Sequence, residues 1–575
     1  MAYRITSREV SESSLERRQP ASLQDVLDAV LHCPTLTQRR RQDIASALRT
    51  LAKLTNRPLS AHLSNVRAVR RLLDAVKPAL HGLSQGRWAN VRSLIFRGLD
   101  IAGVERRRHG DCSPVSVAWG ALLAPLRARP LRVAIMPFAR YCTPLGIDPA
   151  QVAQTTFNDY GTYLEQLSSR TRPREAHLDL RRAWNRAGEE NYPVWPSIRF
   201  AVDDRRPRYS RSWSDFPASL KEDVDKMIKD ATRRVSLSGQ KPIRPISAKA
   251  REIHLRALAS AVVASGRNPS SLRSITDLVD VGVVAAGLEH ILARLGKNTV
   301  HVHQIAKITC TLARRWVKVS KSHQDQLEAI RKNLDPGRHG MTEKNRATLR
   351  VFEDPNIVAR FDSLPARVWS KAPRPEDMKV SDAVRLQVAF AIELQTFAPL
   401  RPHNLANINV DRNIIDQGHG RHRSVHLFFP KCEVKNEVEL EFHLQKSTIG
   451  LLDRYLRDVR PRLLRAPSSW LFPGEGDGPK GASLLGEQIA DLVSAEVGVR
   501  VTAHQFRHLA GYLYLKVNPG AHEIVRRLLG HRSIDTTLRF YAGMEHAEAV
   551  RHFDRHVEQR RADVRPTRRR RGRNA

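Results

Sequence analysis

Three phrases lie between Thr502 and Tyr541: T-A-H-Q-F-R-H at 502–508, L-L-G-H at 528–531 and T-T-L-R-F-Y at 536–541. Thr502 with Gln505 fits a capping box, so a helix is expected to begin there. On that helix His504 and Arg507, three apart, share a face and can address one phosphate together. Gly530, following E-I-V-R-R-L-L, is a helix stop that presents His531 at a turn. Thr536 and Thr537 precede Tyr541 in a short segment that carries the phenol toward that turn. A phenol ionises near pH 10, roughly, and is a poor nucleophile without cations and a base beside it. Guanidinium groups suit non-bridging phosphate oxygens because they donate in pairs and stay charged.

The rest of the chain says which phosphate. Among 575 residues, 96 Lys and Arg face 59 Asp and Glu, a formal net charge of +37. With 41% hydrophobic residues the chain is no disordered polycation; it can fold and still condense on a polyanion. A nucleic-acid backbone is the first expectation and an anionic membrane surface the competing one. The longest apolar run, Val281 to Leu288, ends at Glu289, far short of the roughly 20 residues of a membrane span. The start M-A-Y-R-I-T-S-R has no apolar signal core. The five cysteines (Cys33, Cys112, Cys142, Cys310, Cys432) are scattered, without a C-x-x-C pair, and read as packing residues in a reducing compartment. The expected location is cytoplasmic, nucleoid-associated if the source is prokaryotic. No G-x-x-x-x-G-K-[ST] loop and no H-E-x-x-H occurs, so neither a nucleotide nor a metal cofactor is expected. His504 and His508 are spaced to share a metal, but no third ligand stands at sensible spacing; His508 reads as a helix histidine.

Most of the first 340 residues have apolar positions three and four apart, as in helices. Three segments, from Arg40, Leu131 and Ala250, each read as a basic helix, a short turn and a second helix. They are read as helical modules, with Trp88, Trp119, Trp184 and Trp213 as core anchors. Connectors are expected near Arg106–Ser113, Asp203–Pro217, Asn333–Lys344 and Lys371–Asp377. Val384–Phe397 is nearly all apolar, suited to a domain core. Val425–Phe429 is strand-like, and Glu437–Leu444 alternates strictly, with Val438, Leu440, Phe442 and Leu444 on one face. K-C-E-V-K-N between them is a hairpin loop. Helices resume at Ser447, near Leu484–Val497, and from Thr502. After Tyr541 a final helix shows Met544, Ala547, Val550, Phe553 and Val557 on one face, followed by the basic tail R-P-T-R-R-R-R-G-R-N-A.

With F-A-P-L-R-P-H-N-L-A-N-I, the hairpin lysine, H-Q-F-R-H, L-L-G-H-R-S-I-D-T-T and R-F-Y in this order, the segment from about Val380 to Val557 resembles the tyrosine recombinases, or phage-type integrases. The resemblance implies a mainly α, multi-domain chain: helical N-terminal modules and an α+β catalytic domain with a small antiparallel sheet. The expected divisions are a helical module at 1–110, a second at 111–205, a core-binding-like DNA-binding domain at 206–340, the catalytic domain at 341–560 and a basic disordered tail at 561–575. By position, Arg401 and Arg507 resemble the arginines that grip the scissile phosphate, and Lys431 the hairpin lysine that protonates the departing 5′ oxygen, with Lys435 its rival. His504 and His531 resemble the family's two histidines, and Tyr541 its nucleophile, which forms a 3′-phosphotyrosyl link without ATP or metal.

The activity so implied is site-specific recombination or integration of a mobile element. The partners so implied are double-stranded DNA, further copies of the chain in a tetramer joined through the C-terminal helix, and accessory recombination proteins. Two departures stand out. Asn404 occupies a position that is often acidic, and His531 to Tyr541 spans ten positions, one more than in many members. They motivate the rival of a non-catalytic DNA-binding or bridging protein. A metal-dependent transposase and a type IB topoisomerase are two further rivals.

Overall fold

The computed structural model describes residues 20–106, 114–190, 194–201, 209–233, 242–337 and 340–563. Cys112, much of the expected connectors, and the basic tail from 564 lie outside the described residues. Two compact units emerge: one joins Met1–Val202 with Met341–Ala575, and the other is Asp203–Gly340.

The Asp203–Gly340 unit is helical, built chiefly on helices Ala218–Thr232, Pro245–Ala264, Val281–Leu295, Val300–Leu312 and Lys321–Asn333. Its core gathers Leu220, Val224, Leu258, Val262, Val284 and Ile305. The apolar run from Val281 therefore packs inside this unit's helix bundle. Among the described residues no helix is long and apolar enough to cross a membrane.

In the other unit, one apolar cluster lies within 23–104 and a second within 115–200. Trp88, Trp119 and Trp184 are buried as expected, whereas Trp213, in the separate unit, is half-buried. Arg70 is buried and donates from Nη1 to the Leu164 carbonyl (3.1 Å) and from Nη2 to that of Glu165 (2.7 Å). A cation on helix Val66–Ala75 thus satisfies the last carbonyls of helix Gln154–Gln166.

The 341–541 core forms around helix Val380–Phe397. Ala389, Phe390, Ala391 and Ile392 are consecutive and all fully buried, so the middle of this helix has no solvent face. Its two inward amides both donate, Gln387 to the Tyr455 hydroxyl (3.0 Å) and Gln395 to the Leu400 carbonyl (3.1 Å), while Gln395 Oε1 has no partner among the described residues. The sheet is antiparallel in the order β1 (Ile414–Gln417), β2 (Ser424–Phe429), β3 (Leu440–His443). β3 is shorter than its alternation suggests. Glu437 takes φ 54° and donates its N–H to the Val434 carbonyl (3.0 Å), so the chain is still turning there. β1, whose I-I-D-Q has no alternation, was not anticipated.

Candidate active site

Helix Ala503–Val517 opens where the capping box predicts, with the Thr502 N–H donating to Gln505 Oε1 at 2.9 Å. His504, Arg507, His508 and Gly511 fall at i, i+3, i+4 and i+7, which makes them one stripe. His504 is exposed at the helix start; Arg507 and His508 are buried.

Arg507 is held by the main chain. Its Nη1 donates to the Pro399 carbonyl at 2.5 Å and its Nη2 to the Leu529 carbonyl. Two of the five guanidinium hydrogens are so used, and the plane is locked with donors to spare. Pro399 lies two residues before Arg401, which caps the short helix Pro402–Ala406. Arg401 Nη1 is buried and has no hydrogen-bond partner among the described residues. Burial lowers the Arg507 pKa to about 9, helped by the Arg401 charge, yet the group remains a cation at neutral pH.

Leu529 leads into Gly530 and His531. The Gly530 N–H reaches the Arg527 carbonyl (3.0 Å) and the His531 N–H that of Arg526 (3.0 Å), the paired bonds of a Schellman stop. Gly530 has φ 56°, and a Cβ there would meet Leu440 Cδ2 at 2.8 Å, so both backbone and packing require glycine. His531 Nδ1 lies 2.9 Å from Thr537 Oγ1. Burial first, then the charges of Arg507 and Arg401, push the His531 ring down to about 4. His504 is lowered by burial and by the charges of Arg507, Arg401 and Lys435.

The hairpin between β2 and β3 joins the site at its tip. Asn436 Nδ2 donates to the Gly530 carbonyl at 2.8 Å, and Arg532 pairs with Glu437 at 2.7 Å. Lys431 and Lys435 are both exposed, Lys431 opening the short turn Lys431–Glu433. Lys435, next to the anchored Asn436, is among the charges that lower His504. Asn404 is buried and donates to the Glu433 carbonyl at 3.1 Å, so it steadies this hairpin. Cys432, expected as a packing residue, is an exposed free thiol on the same turn.

Tyr541 is 1% exposed, and its hydroxyl donates to the Arg507 carbonyl at 3.3 Å. The phenol lies against Gly511, where a Cβ would meet Tyr541 Cζ at 2.5 Å. Burial raises the phenol well above its ordinary pKa, against the pull of the Arg507 charge. Tyr541 does not sit on a short segment ahead of a separate final helix. One helix, Ile534–Asp563, runs through it, because Gly543 costs a helix about 1 kcal/mol without stopping it. Of the apolar face expected beyond it, Val550 is 45% and Phe553 65% exposed, while the side chains of Met544 and Ala547 lie outside the described residues. Tyr512 is buried within helix Ala503–Val517 and Tyr514 half-buried on it.

Arg401, His504, Arg507, His531 and Tyr541 thus gather around one helix stripe, with both lysines on the adjoining hairpin loop. Gly511, Thr537 and Asn436 were not foreseen. Only Gly511 carried a signal, an isolated glycine inside a helix.

Among solved structures the chain is similar to XerA recombinase, at 15% identity over 59% of this chain and 97% of that one, with a TM-score of 0.24. It is also similar to a lambda integrase dimer bound to a COC′ core site (15%, 55% and 93%, TM-score 0.34). A third likeness is the Tn1549 transposon integrase in complex with transposon right end DNA (14%, 58% and 98%, TM-score 0.34). No curated protein matches the chain. Residues 375–548 match the phage integrase family model, so this segment of the chain is a phage-integrase-type domain.

Proposed function

We propose that the chain cuts and rejoins duplex DNA at specific sites through a 3′-phosphotyrosyl intermediate on Tyr541, in the service of a mobile element. The observation that carries this is the convergence of Arg401, Arg507, His504 and His531 on the stripe against which Tyr541 rests. Arg401 has a buried, unpartnered donor beside a second, main-chain-locked guanidinium, a setting suited to an anion. Both would hold the non-bridging oxygens of the scissile phosphate, and each such fixed donor is typically worth about 100- to 1,000-fold in rate.

In the reaction the bond from the Tyr541 oxygen to phosphorus forms as the bond to the 5′ oxygen breaks. The phenol proton passes to His504, whose pKa is lowered by desolvation first and then by its cationic neighbours. The 5′ oxygen takes a proton from the hairpin lysine, for which Lys435 is better placed than Lys431. With the Thr537 hydroxyl donating to Nδ1, His531 offers its Nε2–H to a phosphate oxygen. One phosphodiester is exchanged for another ester, so no ATP is consumed. For attack, Tyr541 must leave its seat at Gly511, which calls for movement of helix Ile534–Asp563. Val550 and Phe553, exposed on that helix, suit docking on another copy in a tetramer on DNA. The surplus of basic residues suits the DNA partner, and binding is expected to weaken steeply with salt.

The second reading, a protein that binds and bridges DNA without cutting it, is favoured by the buried, hydrogen-bonded phenol. Randomised nicked duplexes in EDTA separate the two. An SDS-stable protein–DNA adduct that disappears in Tyr541→Phe supports the enzyme. Binding without any adduct supports the bridge, and cleavage that needs metal overturns both.

A further inference from the structure

On the more exposed face of the β2–β3 hairpin three ligand-type side chains meet. β2 and β3 pair in a register that sets His426 directly opposite His443. Glu441 is two residues before His443, so the pleat puts it on the same face. The His426 and His443 rings lie 3.9 Å apart between centroids. His426 Nδ1 is 2.8 Å from Glu441 Oε1, and His443 Nε2 is 4.0 Å from the same oxygen. All three ligand atoms fall within 4.8 Å of one another.

We propose that His426, Glu441 and His443 form a binding site for a divalent transition ion of the zinc class. Zinc takes imidazole nitrogen and carboxylate oxygen at about 2.0–2.2 Å in a tetrahedron, which puts neighbouring ligand atoms roughly 3.3–3.5 Å apart. The observed separations bracket that spacing, so small side-chain rotations complete the site. His426 is fixed for the task from its other side: Nε2 lies 2.8 Å from Ser424 Oγ. With Nε2–H donating there, Nδ1 turns a lone pair toward the Glu441 oxygen. Two lone pairs at 2.8 Å need a positive centre between them, which is either a proton or a metal ion. Water would complete the coordination on the exposed side.

The site lies three registers from the hairpin tip, where Phe429 pairs with Leu440. An ion there would clamp the two strands that carry Lys431 and Lys435, but it takes no part in the proposed cleavage. The inference is independent of the phosphotyrosyl reading.

The experiment titrates the full-length, metal-stripped chain with Zn²⁺ in competition with a chromophoric chelator, and with Co²⁺ read by its visible bands. One equivalent should bind, with affinity at least tenfold weaker in His443→Ala and in Glu441→Ala. Both positions are exposed, so the variants should fold. The same equivalent should persist in the double variant His504→Ala/His508→Ala, which removes a second close histidine pair. Absence of binding, an unchanged affinity in His443→Ala, or loss confined to the His504/His508 variant would each overturn the site.

Discussion

The Tyr541 hydroxyl donates to the backbone carbonyl of Arg507, 3.3 Å away, and not to a phosphate-ready guanidinium. The phenol is thus stored on the helix that carries the second arginine, in a groove that exists because residue 511 has no side chain. Under the proposed function, storage and use of the tyrosine are separate states, and substitutions should shift one against the other.

Gly511→Ala puts a methyl group where Tyr541 Cζ lies 2.5 Å from the built Cβ. Alanine gains about 1 kcal/mol of helix propensity, but overpacking of this kind costs about 1–3 kcal/mol. The variant should melt at a lower temperature and form a covalent adduct on nicked DNA faster than the parent. An unchanged melting temperature with an unchanged adduct rate rejects the stored position.

Arg507→Lys keeps the charge and loses the fork. Lysine cannot reach both the Pro399 and Leu529 carbonyls, and a buried acceptor left alone costs about 1–3 kcal/mol. Stability should fall by that order, and cleavage by about 100-fold or more. A lysine variant as stable as the parent would show that the guanidinium does not brace these two turns.

His508 and His531 make stability pH-dependent. Both rings are held down at about 4, chiefly by burial, from an ordinary value of 6.5. The folded state prefers the neutral ring, so the unfolded chain binds more protons between these values. The stabilisation is complete above about pH 6.5 and is lost as pH falls toward 4, where the folded rings themselves protonate. Melting temperature should therefore drop across this window, with a shallower slope in His508→Gln. Equal slopes in the two proteins would mean that His508 is not kept neutral by its surroundings.

Much of this site was legible because local chemistry and fold agree. Thr502 with Gln505 marked a helix start, and Gly530 marked the turn at His531, since both signals act through backbone hydrogen bonds within a few residues. The β3 alternation overshot because a period of two in side chains does not reveal that Glu437 sits at positive φ. β1 escaped notice because its pairing with β2 makes it a strand, and its own residues do not. The seat at Gly511 depends on which side chain arrives from 30 positions on, a long-range fact invisible in helical periodicity. The same applies to the choice between Lys431 and Lys435, which turns on how the hairpin bends and where Asn436 anchors it.

Asn404 tests a departure from the family pattern. Its Nδ2 donates to the Glu433 carbonyl, so Asn404→Asp, although acidic as in many relatives, removes a donor and turns a carboxylate toward that oxygen. The variant should be less stable than the parent by about 1–3 kcal/mol and cut more slowly. A gain in both properties would mean that the hairpin does not rely on this bond.

The two lysines can be told apart by the leaving group. Asn436 is tied to the Gly530 carbonyl at 2.8 Å, which brings neighbouring Lys435 into the set of charges that hold His504 below its usual pKa. If Lys435 protonates the 5′ oxygen, Lys435→Ala should lower cleavage of ordinary DNA by about 100-fold or more, within the range for general-acid loss. Replacing the bridging 5′ oxygen with sulfur creates a leaving group that departs without a proton, so the same variant should recover most of the lost rate on that substrate. Lys431→Ala should cut both substrates at near the parental rate. Sulfur rescue of Lys431→Ala, with Lys435→Ala unaffected on ordinary DNA, would reverse the assignment. Failure of sulfur to rescue either variant would place the acid elsewhere, with His504 the next group to test.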